Sequence, residues 1–333
     1  MTTRGPPRRG LLAGSLAAGA GLAGSALAQA QGPAAPGARP SFGAMVARAN
    51  ANVVGVVSGG IDGTYARIAA DLAAVLDDGE RMRVLPILSR GSLQNISDIM
   101  YLRGVDIGIV QSDALAYARR EQLYPGIDSL IQYITKLYDE EVHLLARADV
   151  RAVEDLAGKA VNLDVPGSGT AMTAAVLFGG LETAVVPVHD PQDVALEKLK
   201  RGEIAAMVYV AGKPARLFSS VDGAAGLHFL PLPLSAQLVE TYLPAQLGRD
   251  DYPLLVGAAE PVETVAVGAV LAVYAWPRSS DRWVKLQRFI ESLNANFESF
   301  SRPPRHAKWR DVSLSARVPG WTQFAAVPRR AAR

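Results

Sequence analysis

Residues 52–76 read NVVGVVSGGIDGTYARIAADLAAVL. The Val-rich run at 52–57 predicts a buried strand, ended by Ser58-Gly59-Gly60. From Tyr65 onward, apolar residues fall at 65, 68, 69, 72, 73, 75 and 76, which is helical spacing, and Asp77-Asp78-Gly79 stops the helix. A strand passing through a Gly-rich loop into a helix is the repeating unit of a parallel α/β sheet. The unit recurs, with strands predicted at 82–88 and 105–110 and helices at 92–102 and 112–120. A second series begins after Arg147, with strands at 160–163, 185–188 and 205–210 and helices at 168–177 and 192–200. Residues 262–274 form a long extended stretch, and 281–300 predict one amphipathic helix with Trp283, Leu286, Phe289, Leu293 and Phe300 on its apolar face. The fold class is therefore α/β, in two lobes with a central cleft and two crossing segments near 142–150 and 258–270.

Open α/β sheets bind ligands beyond the C-terminal ends of their strands, so four loops there carry the functional signal. Residues 58–65 contain Gly60, Asp62, Thr64 and Tyr65. Glycine permits close backbone approach, and the following helix start offers free N–H groups to an anion. The spacing matches neither G-x-G-x-x-G nor a phosphate loop ending in GK[ST]. Asp62 serves either as a turn former or as the partner of a ligand ammonium. Residues 89–95 bring Arg90, Gly91 and Ser92; the Arg fork suits a carboxylate, or it is a solvated loop residue. Gln111 and Ser112 end the third strand, and the Gln amide both donates and accepts. Pro166, Gly167, Ser168, Gly169 and Thr170 build a matching helix start in the second series. Ser168 lacks the G-x-S-x-G setting of a nucleophile, so no catalytic set is expected. Asp139-Glu140-Glu141 beside His143 reads as a solvated loop at the crossover rather than a metal site.

The 333-residue chain is 49% hydrophobic and 20% charged and has no Cys, which excludes disulfides, thiolate zinc sites and thiol catalysis. Its four His make a His-rich metal site unexpected, and no cofactor is expected. The net charge of +2 is unevenly spread. Arg4, Arg8 and Arg9 stand without an acid in the first 30 residues, and the last 33 hold seven Arg and Lys308 against Asp311. The body between is acidic, so nucleic acid is not an expected partner. Arg8-Arg9, an uncharged Ala/Gly/Leu/Ser run and small-x-small sites ending at Ala28 and Ala30 predict an export signal over 1–30, cleaved after either Ala. The paired Arg resembles a twin-arginine signal, with the general secretory route as the alternative. A flexible leader is expected over 31–45 and a basic tail over 326–333, leaving a soluble, monomeric, periplasmic body. The basic stretch from 301 reads mainly as solubilising, with Trp309 and Trp321 packing part of it down.

The motifs occur in an informative order: GG-x-x-G-x-Y at 59–65, GS-x-x-N-I at 91–96, Ile-Val-Gln-Ser-Asp at 109–113, His-Leu-Leu-Ala-Arg-Ala-Asp at 143–149, Pro-Gly-Ser-Gly-Thr at 166–170, and Gly-Glu-Ile-Ala-Ala-Met-Val-Tyr-Val-Ala-Gly-Lys-Pro at 202–214. Over about residues 50–275 the chain resembles TAXI-family solute-binding proteins, the extracytoplasmic receptors of tripartite ATP-independent (TRAP) transporters. The resemblance implies a two-lobed periplasmic binding protein fold, type II-like, with lobes at 46–147 plus 268–325 and at 148–267. It implies capture of a small organic anion, a glutamate-like amino acid or a dicarboxylate, and delivery to TRAP membrane subunits. Carried over, the contacts are Gly60 to Tyr65, Gly91-Ser92, Gln111-Ser112, Pro166 to Thr170, and Tyr209 with its following loop. Arg90 and then Lys213 are the nearest cations; Lys213 stands where the family commonly has His. Ser92, Ser168 and Thr170 are expected to donate to the carboxylate, Gln111 to orient it, and Tyr65 or Tyr209 to cover its apolar part. A ligand sensor for a signalling partner and an enzyme on the same fold are the alternatives.

Overall fold

The computed structural model describes residues 39–324, apart from Leu234, Ala236, Gln237 and Ala259. The export signal at 1–30 and the basic tail at 326–333 lie outside the described residues. Helix α1 (Phe42–Asn50) begins within the expected leader and has no buried residue.

In the body, β1 (Val53–Val57), α2 (Thr64–Leu76), β2 (Arg83–Ile87), α3 (Ser92–Tyr101) and β3 (Ile107–Gln111) follow the predicted alternation. Helices α4 (Ala114–Arg120) and α5 (Ile127–Leu130) lead into β4 (Ile131–Arg147). Next come β5 (Ala160–Asn162), α6 (Gly169–Gly180), β6 (Val186–Val188), α7 (Gln192–Lys200) and β7 (Ala206–Ala211). Strands β8 (Leu227–Phe229), β9 (Leu243–Leu247) and β10 (Val262–Tyr274) precede α8 (Asp281–Ala295) and α9 (Phe297–Phe300). The predicted single closing helix is thus broken at Asn296.

One sheet runs β2-β1-β3-β10-β4-β7-β5-β6, with β8 added to β4 and β9 to β10. The β1, β2 and β3 pairings are parallel, as are those of β5, β6 and β7. Between the two parallel groups stand β4 and β10, antiparallel to each other. β4 pairs with β10 along Ile131 to Glu141 and with β7 from Glu141 to Ala146. β10 pairs with β9 in its first half and with β3 in its second. Two long strands therefore serve both halves of the molecule. The register between them shifts on either side of Val270, next to Gly268.

β4 corrects the sequence reading most. The carboxylate run at 139–141 is mid-strand, not a solvated loop, with Glu140, Glu141 and His143 buried. Each finds a partner that sequence does not show. Lys308 Nζ lies 2.6 Å from Glu141 Oε1, with both side chains only 6% exposed. The Tyr65 hydroxyl donates to Glu140 at 2.6 Å. The Tyr252 hydroxyl lies 2.6 Å from His143 Nε2, and His143 Nδ1 is 3.1 Å from the Tyr209 carbonyl. The backbone N–H of Ala215 donates to the Tyr252 hydroxyl, which leaves that hydroxyl's proton for Nε2. His143 is then neutral with its proton on Nδ1. Burial agrees, pulling its pKa down to about 4.

The stretch after α9 is not chiefly a solubilising surface. Trp309 is 1% exposed and stacks on Phe300 with ring centroids 4.2 Å apart. Its Nε1 donates to Asp71 on α2, which also accepts the N–H of His306. Trp321 Nε1 donates to the Ser112 carbonyl, and Phe324 N–H to the Tyr133 carbonyl. The basic residues ride on aromatic anchors that fix this segment across the first half of the sheet. Trp309→Ala removes the stacked ring and one of the two N–H groups that Asp71 accepts. A loss of about 3–5 kcal/mol is expected in denaturant unfolding, typical of a buried Trp; a loss below about 0.5 kcal/mol would mean that the segment is not part of the core.

Candidate functional site

Both βα series end their strands on the same side, so their loops meet. They line a cavity of about 60 Å³ that opens to solvent. Of the sequence candidates, Gly60, Thr64, Tyr65, Arg90, Gly91, Ser92, Gln111, Ser168, Gly169, Thr170 and Tyr209 line it. Gly59, Gly63, Glu140, Asp164, Val210 and Ala211 complete the wall.

Three helices start at this cavity: α2 at Thr64, α3 at Ser92 and α6 at Gly169. Among the described residues, the N–H groups of Ser92, Gly169 and Thr170 have no acceptor. Such groups carry the positive end of the helix dipole. The starts come close because two positions are glycine. Gly91 has φ +113°, and a side chain there would sit 3.4 Å from Gly169 N. A Cβ on Gly169 would fall 1.7 Å from Gln111 Oε1 and 2.6 Å from Ser92 Oγ. The GS-x-x-N-I motif also has a structural part. Buried Asn95 donates to the carbonyls of Ser58 and Ile109, pinning α3 to the ends of β1 and β3.

The two halves touch directly around the cavity. Gln94 N–H donates to the Gly167 carbonyl at 3.1 Å, and Thr64 Oγ1 to the Gly212 carbonyl at 3.2 Å. Gln111 accepts from Ser92 Oγ and donates to Thr173 Oγ1 at 3.3 Å. Thr173 and Tyr242 both donate to Asp113 Oδ2. Burial raises the Asp113 carboxyl to about 6. Gln111 is thus a clasp between the halves, not a free orienting amide. Ser168 Oγ caps α6 by accepting from Ala171 N–H, and Thr170 Oγ1 accepts from Val210 N–H. The Thr170 hydroxyl still has its own proton to donate into the cavity, whereas that of Ser168 also faces the Asp164 carboxyl.

Five candidates are not brought to the cavity wall. Asp62 is exposed, lies 3.9 Å from Arg216 and is not part of the cavity wall. Lys213 Nζ is held 3.0 Å from Asp251 and 2.7 Å from the Gln246 carbonyl. Ser112 gives its carbonyl to Trp321, and its hydroxyl lies near Gly268. Pro166 is exposed, and Gly167 contributes its carbonyl to Gln94 rather than a surface to the cavity. A position in a motif fixes the backbone but not the direction of the side chain.

Glu140 and Asp164 were missing from the expected site. Glu140 shares its strand face with Tyr138, Val142 and Leu144, all buried. Burial pushes its carboxyl up to about 8, against the opposing effect of the Tyr65 hydrogen bond. Asp164 has φ +71° and its carboxyl is also raised by burial. Tyr65 and Tyr209 are buried phenols whose pKa values burial raises, so both are neutral donors. Arg90, the sole cation of the lining, is exposed at the rim and has no ion pair among the described residues. Among the described residues no group of three His, Asp or Glu is placed to hold a metal ion, and no helix is long and apolar enough to cross a membrane.

Gly169→Ala is expected to displace buried Gln111 and break its bonds to Ser92 and Thr173. The measurement is denaturant unfolding, with a loss of about 1–3 kcal/mol expected; an unchanged midpoint would mean that the close approach of the halves does not contribute to stability.

This fold has known relatives. A solved structure described as a periplasmic transporter superposes with a TM-score of 0.50 at 13% identity, covering 80% of this chain and 89% of that one. The periplasmic binding protein BugD superposes with a TM-score of 0.50 at 14% identity, covering 82% of this chain and 90% of that one. The fold is accordingly that of the two-lobed periplasmic binding proteins. Residues 56–278, from the first strand to just past β10, match the NMT1-like family, and the chain belongs to that family.

Proposed function

We propose that the protein is an extracytoplasmic solute receptor that takes a small organic anion between its two halves. The anion is a glutamate-like amino acid or a dicarboxylate, and the receptor hands it to the membrane subunits of a TRAP transporter. One observation carries this reading: three helix starts, drawn from both parallel strand groups, face one cavity with N–H groups, and beside them an Arg, that are unpaired among the described residues. Backbone N–H groups and helix ends hold an anion without a full countercharge in place. The motif order supports the TAXI assignment, and Arg8-Arg9 with the sites at Ala28 and Ala30 support export and cleavage.

The halves are proposed to part and close about the long strands, with lobe boundaries near 147/148 and 267/268. The second lies at Gly268, where the β4–β10 register shifts. The direct contacts of Gln94 with Gly167 and of Thr64 with Gly212 correspond to the closed state. Opening would break these two bonds and those of Gln111 and Asp113 to Thr173 and Tyr242, each a single hydrogen bond.

The test is a thermal-shift screen of the mature protein against small organic acids, amino acids, sugars and polyamines. A ligand at 100 times its Kd adds about 2.7 kcal/mol. Carboxylates are expected to stabilise; binding of neutral sugars or polyamines alone would refute the anion site. Calorimetric titration then compares variants with wild type. Arg90→Ala and Ser168→Ala are each expected to cost about 1.5–3 kcal/mol, the range for hydrogen bonds to a charged group. Unchanged affinity in Arg90→Ala would make Arg90 a surface residue and leave recognition to the backbone.

A further inference from the structure

Glu140 is the group in the cavity that an anion receptor least explains. It is 2% exposed, and among the described residues the one hydrogen-bond partner of its carboxyl is the Tyr65 hydroxyl. Lys308, the nearest cation on its side, is already committed to Glu141 at 2.6 Å and to Asp311 at 3.6 Å. No cation is therefore paired with Glu140.

Its place in the wall turns this into a constraint. Glu140 lines the same cavity as the three helix starts, so an anion seated on them shares the site with its carboxyl. Two like charges about 4 Å apart repel by about 4 kcal/mol at an effective dielectric constant near 20. Two anions sharing one site therefore hold a proton between them. Resting on the anion reading above, we propose that Glu140 makes this a proton-linked site: it holds a proton at neutral pH and donates it as a hydrogen bond to the bound anion. The ligand then turns an acid oxygen, not an ammonium, towards Glu140, and an ammonium there would demand the ionised form instead.

The groups around Glu140 act in known directions. Burial is the dominant effect and favours the neutral acid. From its own strand, Glu141 favours it too, as does Asp113 beyond β3. Tyr65 from α2 and Lys308 from the turn at 307–311 oppose it. Tyr138 on β4 and Tyr209 on β7 stay neutral because burial raises both phenols. Across the cavity, Asp164 adds a second carboxyl raised by burial, and Arg90 adds the single positive charge at the rim. The sum leaves Glu140 neutral up to about pH 8. Its neutral fraction, and with it anion affinity, then falls tenfold per pH unit above that point.

The test has two arms on the mature protein. Infrared difference spectra of wild type minus Glu140→Gln, without ligand, are expected to show a protonated carboxyl band at pH 7 that fades above about pH 8. An ionised Glu140 at pH 7 overturns the proposal whether or not any acid binds. Calorimetric titrations with succinate and with L-glutamate, run from pH 6 to 9 in buffers of different ionisation heat, form the second arm. Succinate affinity is expected to fall about tenfold per unit above pH 8, with nearly one proton taken up per anion at pH 9. Glu140→Gln should flatten this profile, and Tyr65→Phe should move its midpoint to higher pH. Loss of binding in Glu140→Gln at every pH, or tighter binding of L-glutamate as pH rises, would show that the ionised carboxylate is required and overturn the proposal. Failure of both acids to bind with the infrared band present refutes the anion reading and leaves the protonation of Glu140 standing.

Discussion

The antiparallel pairing of β4 with β10 is the constraint on which the rest of the structure depends. These strands of 17 and 13 residues are buried along almost their whole length. One half of each belongs to the parallel group of β1, β2 and β3, and the other half to the group of β5, β6 and β7 or to β9. Because the same two strands support both groups, the C-terminal ends of β1, β2, β3, β5 and β7 open towards one place. The cavity follows from this topology, and the helix starts that line it follow from the loops.

Burying both faces of β4 forces its polar residues to find internal partners. An unpaired buried charge costs several kcal/mol, and a buried ion pair holds only when its remaining lone pairs are also bonded. Glu141 meets this with Lys308 and the N–H of Lys213. His143 meets it by staying neutral between Tyr252 and the Tyr209 carbonyl. Glu140 meets it only in part, with one phenol. That deficit, on the wall of the cavity, sets it apart from its neighbours.

Much of the fold is legible in the sequence because the parallel strands are short Val- and Ile-rich runs and the helices keep a 3.6-residue period. The Gly- and Ser-rich helix starts at 58–65, 89–92 and 166–170 are legible for the same reason, since they interrupt those runs. β4 is hidden because three adjacent carboxylates resemble a solvated loop, and a strand buried on both faces lacks clean alternation. Its partner Lys308 lies 167 residues away, beyond any local pattern. The segment at 301–324 reads as a charged surface, although Trp309, Trp321 and Phe324 hold it to the core. Lys213 and Asp62 show a different limit. Both sit beside motifs that reach the cavity, but their side chains turn to Asp251 and Arg216, and direction is decided by neighbours that a local sequence does not reveal.

The central claim is that the helix starts at Ser92 and at Gly169-Thr170 hold an anion together. Its most direct test follows the backbone amide resonances of these three residues while the tightest-binding acid of the screen is titrated into isotope-labelled protein. The account predicts that all three shift downfield together, with one saturation curve, and become protected from hydrogen exchange. Saturable binding that leaves these amides unmoved while others shift would contradict it and place the ligand elsewhere.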